Sequence, residues 1–188
     1  MANVNHNTLT DPYLHEPKGV STAEAGDVYV ADGAGSGAWT QVHTYVNGYI
    51  AFDSSTPAYN HSVTTSFTVL NPTFILSTSL GWTGLSSPNA RLRYDGTADI
   101  TGAVQLCMSF KNNSGTNRDL EVIFRKNGGA LNGAHAIDTA VNGEWKTLVI
   151  SDYGSFSTND YLEVFLKGSA SFTLNVASAN LTVMGVPS

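Results

Sequence analysis

The sequence predicts an all-β protein, a sandwich or barrel preceded by an extended N-terminal arm. Three observations predict it. Beyond Gly48 the apolar residues fall in short runs rich in β-branched and aromatic types, each bounded by Gly, Asn, Asp, Ser or Pro. None of these runs carries a 3.6-residue period with helix caps. Charged residues make up only 13% of the chain, with Ser, Thr, Asn and Gly in their place, which argues against a helical bundle. Short strands at regular spacing fold as sandwiches or barrels.

Residues 1–47 show no sustained period and read as the arm. The prolines of "TDPYLHEPKG" fix φ and remove amide donors, so this segment is expected to be extended or turning. "AGDVYVADG" supplies one short strand between glycines. Such a segment buries too little surface to fold alone and is expected to order against a partner. Gly33, Gly35 and Gly37 of "DGAGSGAW" do not give the spacing of a phosphate-binding loop, so the segment reads as a flexible turn.

From Gly48 the expected strands are "GYIAF", "SVTTSFTVL", "TFILSTS", "ARLRYDG", "AVQLCMSF", "DLEVIFRKNGG", "EWKTLVIS", "DYLEVFLKG" and "SFTLNVASANLTVMGV". Alternation assigns their faces. Leu120, Val122 and Phe124 share one face, as do Val104, Leu106, Met108 and Phe110. Leu162, Val164 and Leu166 point to the core, leaving Tyr161, Glu163, Phe165 and Lys167 outside. Two aromatic rings on a face that ought to be wet suggest a subunit interface at Tyr161, Glu163 and Phe165, and the competing reading is a loop that covers them.

The net charge is −6, and residues 1–60 carry most of it, with Lys18 alone against Asp11, Glu16, Glu24, Asp27, Asp32 and Asp53. An acidic, weakly charged chain is a poor match for nucleic acid or anionic membrane. No apolar run approaches the ~18 residues of a membrane span. The opening "MANVNHNTLT" has neither region of a signal peptide, so synthesis in a cytosol is expected. Cys107 is the single cysteine, which excludes an intrachain disulfide and reads as a small residue filling sheet space.

Little in the sequence points to catalysis. His6, His15, His43, His61 and His135 lack metal-ligand spacing, and no metal or other cofactor is expected. Asp95 and Asp99 flank "GTA" and could meet at a turn as a carboxylate pair or a calcium site, against the simpler reading of solvated turn residues. Asn60, Asn112 and Asn180 fit N-x-S/T, a pattern that arises by chance in an Asn- and Ser-rich chain.

Several stretches resemble the trimeric jelly-roll knob of tumour necrosis factor-like and complement-like proteins, in the version found in bacteriophage fibre and decoration proteins. "GYIAFDSST" resembles the opening strand of such knobs. "ARLRYDGTADITGAVQLCMSFKNNSGTNRDLEVIFRKNGG" resembles their central block, with Gly102 and the Asn113–Asn117 turn in place. "STNDYLEVFLKGSASFTLNVASANLTVMGV" resembles the closing pair, with Asp160 before the penultimate strand. "HEPKGVSTAEAGDVYVADGAGSGAW" resembles N-terminal attachment segments of phage structural proteins.

The resemblance implies a homotrimeric jelly-roll knob over 48–188. It implies a virion-attachment arm over 1–47, in which His15, Glu16, Pro17, Lys18 and Gly19 bind the major capsid protein. The expected role is a capsid decoration (cement) or head-fibre protein, made in the host cytoplasm and placed on the outer capsid surface. A host surface glycan or receptor is a further partner under the same resemblance. The alternative it leaves open is the receptor-binding tip of a tail fibre.

Overall fold

The computed structural model describes residues 27–31, 37–41, 46–53, 59–72, 75–76, 80–86 and 89–187. Backbone contacts divide the chain into two compact units, Met1–His43 and Thr44–Ser188. The division falls before Gly48 because the first strand of the second unit already begins at Val46.

Among the described residues the first unit forms an antiparallel hairpin, β1 (Asp27–Ala31) with β2 (Gly37–Gln41), in which Tyr29 lies opposite Trp39. The two rings meet edge to face with centroids 5.4 Å apart, a favoured aromatic geometry. The arm is therefore not extended throughout. Val28 and Val30 remain about half exposed, at 47% and 53%, so this hairpin encloses no core of its own.

The second unit is a two-sheet sandwich. Its strands are β3 (Val46–Asp53), β4 (Tyr59–Val63), β5 (Thr68–Val69), β6 (Ile75–Leu76), β7 (Trp82–Leu85), β8 (Arg91–Tyr94) and β9 (Ile100–Asn112). They continue as β10 (Arg118–Lys126), β11 (Gly129–Ala140), β12 (Trp145–Phe156), β13 (Tyr161–Gly168) and β14 (Phe172–Pro187). No helix occurs among the described residues.

One sheet runs β12-β9-β14-β3-β6, with β4 also on β14. The other runs β11-β10-β13-β8-β7, with β5 also on β13. The chain changes sheet from β8 to β9, β9 to β10, β11 to β12, β12 to β13 and β13 to β14. The long strands thus form the interleaved Greek keys of a jelly roll.

The alternation read from the sequence is realised in the core. Leu120, Val122, Phe124, Val104, Leu106, Met108, Phe110, Leu162, Val164 and Leu166 are all buried between the sheets. Each such side chain contributes about 1.5–3 kcal/mol of burial. At one end Trp82 packs on Tyr94 and Phe156, with both ring centroids 5.1 Å from its own.

Asn127 and Gly128 both have positive φ, 51° and 81°, and join β10 to β11 as a two-residue hairpin turn. Asn-Gly is the pair that such a turn favours. This turn explains β11, a strand half made of Gly and Ala that propensity does not suggest. The stretch "SVTTSFTVL" is not one strand. Thr64 Oγ1 donates to Ser66 O at 2.8 Å in a local turn, and β4 and β5 join opposite sheets.

Candidate functional site

The two outer faces of the sandwich differ in chemistry. Cross-strand partners point to the same side of a sheet, so strand register assembles each face row by row.

On the outer face of β12-β9-β14, one row is Tyr153–Ala103–Met184, and Asn47 of β3 extends it. Successive rows are Ser151–Gln105–Thr182, Val149–Cys107–Asn180 and Thr147–Ser109–Ser178, with Ser155–Thr101–Val186 on the other side. None of these side chains is charged. Two pairs of the polar ones meet each other: Thr101 Oγ1 and Ser155 Oγ lie 3.1 Å apart, and Gln105 Nε2 donates to Ser151 Oγ at 3.3 Å. The apolar ones stand out to solvent, with Tyr153 67%, Met184 60%, Val149 55% and Val186 40% exposed. Tyr153, Met184, Val186 and Ala103 line a shallow concavity of about 280 Å³ together with Thr101 and two glycines. Beneath it, Gly154, Gly102 and Gly185 form an inward-facing row. A Cβ on Gly102 would come within 2.7 Å of Met184 O, so glycine is required for this close approach of β9 and β14.

The outer face of the other sheet is charged. Register and contact bring together Asp119, Glu121, Arg125, Glu163, Lys167, Arg91 and Arg93. Lys167 Nζ is 2.5 Å from Glu121 Oε2, and Arg93 Nε is 2.6 Å from Asp95 Oδ1.

Tyr161, Glu163 and Phe165 lie on this charged face. Arg91 sits 4.6 Å from the Tyr161 ring centroid, and Arg125 sits 4.3 Å from that of Phe165. Glu163 is 4% exposed and accepts a 3.3 Å hydrogen bond from Asn89 Nδ2. The aromatic pair that suggested a subunit contact is thus partly covered within a single chain, by one arginine over each ring, and both rings keep intermediate exposure. The sequence does not reveal this cover, since Arg91 and Arg125 reach Tyr161 and Phe165 from other strands.

The remaining candidates separate. His15, Glu16, Pro17, Lys18 and Gly19 lie outside the described residues, as do Asp32–Ser36 of the glycine-rich turn. Asp95 is engaged by Arg93. Burial, and then the charge of Asp99, raise the Tyr94 phenol above its ordinary value. Among the described residues no group of three or more His, Cys, Asp or Glu could hold a metal ion. Asn112 is fully buried, donating to Thr116 O and Ala140 O at 2.7 and 2.9 Å, so it is no surface acceptor for a glycan.

Among the described residues Asp160 carries the most hydrogen bonds of any carboxylate. It accepts from the Ser157 amide at 2.8 Å, from Asn127 Nδ2 at 2.6 Å and from Lys126 Nζ at 3.1 Å. Burial opposes its ionisation, but these donors outweigh burial and hold its pKa below the ordinary value. Its role is structural: it ties the β10–β11 turn to the turn before β13.

No protein-family model matches the chain, and no curated protein sequence is similar to it. Among solved structures, the chain is similar to the PRD1 vertex protein P5, with 14% identity, a TM-score of 0.41, and coverage of 76% of this chain and 96% of that one. It is similar to the Eiger TNF of S. frugiperda at 13% identity and TM-score 0.38, over 73% of this chain and 92% of that one. It is also similar to a family 35 carbohydrate-binding module from Cellvibrio japonicus, at 14% identity and TM-score 0.32, over 71% and 92% of the two chains. At such identities and scores no role passes from these proteins to this one, and the jelly-roll assignment rests on the chain's own strand order.

Proposed function

We propose that the protein is a virion structural protein, a homotrimeric capsid decoration or head-fibre protein held to the major capsid protein by its N-terminal arm. The observation that carries the self-assembling half is the run of uncharged rows on the outer face of β12-β9-β14, from Ser155–Thr101–Val186 to Thr147–Ser109–Ser178, with Tyr153, Met184, Val149 and Val186 exposed on it. Depletion of charge around exposed aromatic and Met side chains is the compositional mark of an interface core. The threefold state and the virion setting rest on the resemblance of the segments quoted above. The role is binding, not turnover. Three linked arms raise the effective concentration of each next contact, so individually weak arms hold firmly. The arm's hairpin, with exposed Val28 and Val30, supports a segment that completes its burial against a partner.

A truncated chain of residues 44–188, which holds every strand of the sandwich, tests this reading. It is expected to keep its β-rich circular dichroism and its oligomeric state, and to lose binding to capsids stripped of the protein. Replacing His15, Glu16, Pro17 and Lys18 by Gly and Ser is expected to weaken attachment without moving the melting of the knob. Capsid binding by the truncated chain as tight as that of the full chain would move the attachment surface onto the jelly roll.

A further inference from the structure

At the end of the same sheet away from Tyr153, one row of outward side chains crosses four strands. Strand register sets Trp145 of β12 beside Lys111 of β9, Lys111 beside Asn175 of β14, and Asn175 beside Asn60 of β4. Trp145 is 50% exposed on a strand that ends its sheet. The Lys111 ammonium lies over the ring, 5.1 Å from its centroid, so a ligand stacking there meets the indole and the cation together. The amides form a chain in which Asn113 Nδ2 donates to Asn175 Oδ1 and Asn175 Nδ2 donates to Asn60 Oδ1. Both ends of that chain, Asn113 and Asn60, are exposed.

We propose that Trp145, Lys111 and the Asn113–Asn175–Asn60 amide chain form a saccharide-binding site. A protein partner docking on an exposed tryptophan wants further apolar surface around it, and here the row neighbours are amides and a cation. A single aromatic plate with a polar rim suits a ligand that has one apolar face and hydroxyls on its edge. A pyranose ring has this shape: its C–H face stacks on an indole, and its hydroxyls both donate and accept, as amide groups do. The hydroxyls of Thr147, Ser109 and Ser178 in the next row extend the same polar floor. Lys111 is the only charged side chain in the row, so the site favours a sugar bearing a carboxylate over a neutral one. Trp145 and Tyr153 are eight residues apart on β12, roughly 26 Å along an extended strand, which leaves this site clear of the concavity at the other end. The site needs neither the oligomeric state nor capsid attachment, so its failure would not touch those readings.

The test is titration of the full-length protein with two trisaccharides, one neutral hexose trimer and one trimer of hexuronic acid, followed by NMR of the Trp145 indole and by calorimetry. The indole signal is expected to shift in both titrations, with tighter binding of the acidic trimer. Trp145→Ala should weaken binding by about tenfold or more. Lys111→Gln should bring the two affinities close together while keeping the indole shift. Ile137→Ala, an exposed apolar change on the other sheet, should alter neither. If neither trimer moves the indole at millimolar concentration, or if Trp145→Ala, shown folded by circular dichroism, binds as the parent does, the proposal is overturned.

Discussion

Replacing Met184 by Asp separates the two outer faces. In a single chain Met184 is 60% exposed, so a carboxylate there stays solvated and the jelly roll should fold. In an oligomer joined through the β12-β9-β14 face the same carboxylate would lie against apolar side chains. Completing the burial of a methionine contributes about 1–2 kcal/mol, taken as its exposed share of the roughly 1.5–3 kcal/mol for full burial. A buried, unpaired carboxylate costs at least a further ~2–3 kcal/mol. A combined loss near 4 kcal/mol per contact weakens association about a thousandfold. Light scattering over a range of concentrations should therefore show the parent near three times 19.9 kDa and Met184→Asp as a single chain. Circular dichroism should remain β-rich. The mirror change, Phe165→Asp, removes a ring from beneath Arg125 and costs the fold about 1–2 kcal/mol, but should leave the oligomer intact. If Phe165→Asp dissociates the protein and Met184→Asp does not, the subunit contact lies over Tyr161, Glu163 and Phe165 and the reasoning from charge depletion fails.

Two further predictions concern groups that titrate. Asp160→Ala, which strands the Ser157 amide, Asn127 and Lys126, should lower unfolding stability by roughly 2–3 kcal/mol near neutrality. Because the folded-state pKa of Asp160 is depressed, its contribution is present above the ordinary value of 3.8 and is lost as pH falls through the lower folded value. Urea midpoints of parent and variant should therefore converge in strong acid, and a constant gap would contradict the assignment. His61 is 5% exposed, with Nε2 3.1 Å from Thr68 Oγ1, and burial lowers its pKa. Below 6.5 the unfolded chain binds a proton that the folded chain resists. The parent should thus lose stability as pH falls from there toward the folded value, and His61→Gln should flatten that slope. Parallel pH profiles for the two proteins would exclude His61 as its source.

What the sequence reveals is what lies along one strand. The period-two burial of Val104 to Phe110 and of Leu162 to Leu166 is local information, and it places the core correctly. So is the Asn127-Gly128 turn, although the strand it launches is hidden because Gly, Ala and Asn carry no β signal. What lies across strands is not legible. Phe165 looks stranded in "DYLEVFLK" because Arg125 approaches it from β10. The uncharged rows around Tyr153 and Met184 are equally invisible, since β9, β12 and β14 each supply only every second residue to them. The row from Trp145 to Asn60 draws one residue from each of four strands, the farthest apart being 115 positions in the chain, and no motif spans them.

The exposure of Tyr153 and Met184 follows from how the sandwich closes at that end. Both sit beside inward-facing glycines, Gly154 and Gly185, where a larger residue would have nowhere to go. A Cβ on Gly154 would meet Leu131 Cδ1 at 2.6 Å, and one on Gly185 would meet Ile100 Cδ1 at 3.0 Å. The interior here is already filled by Leu131, Ile100 and the Trp82–Tyr94–Phe156 group, and close-packed cores admit no extra side chain cheaply. Nor can a strand turn Tyr153 inward without slipping its register by one residue, which would expel Leu148, Ile150 and Phe156 from the core. The apolar residues at this end of the face are held outward by the packing itself, and among rows without charge the remaining way to remove them from water is contact with another molecule.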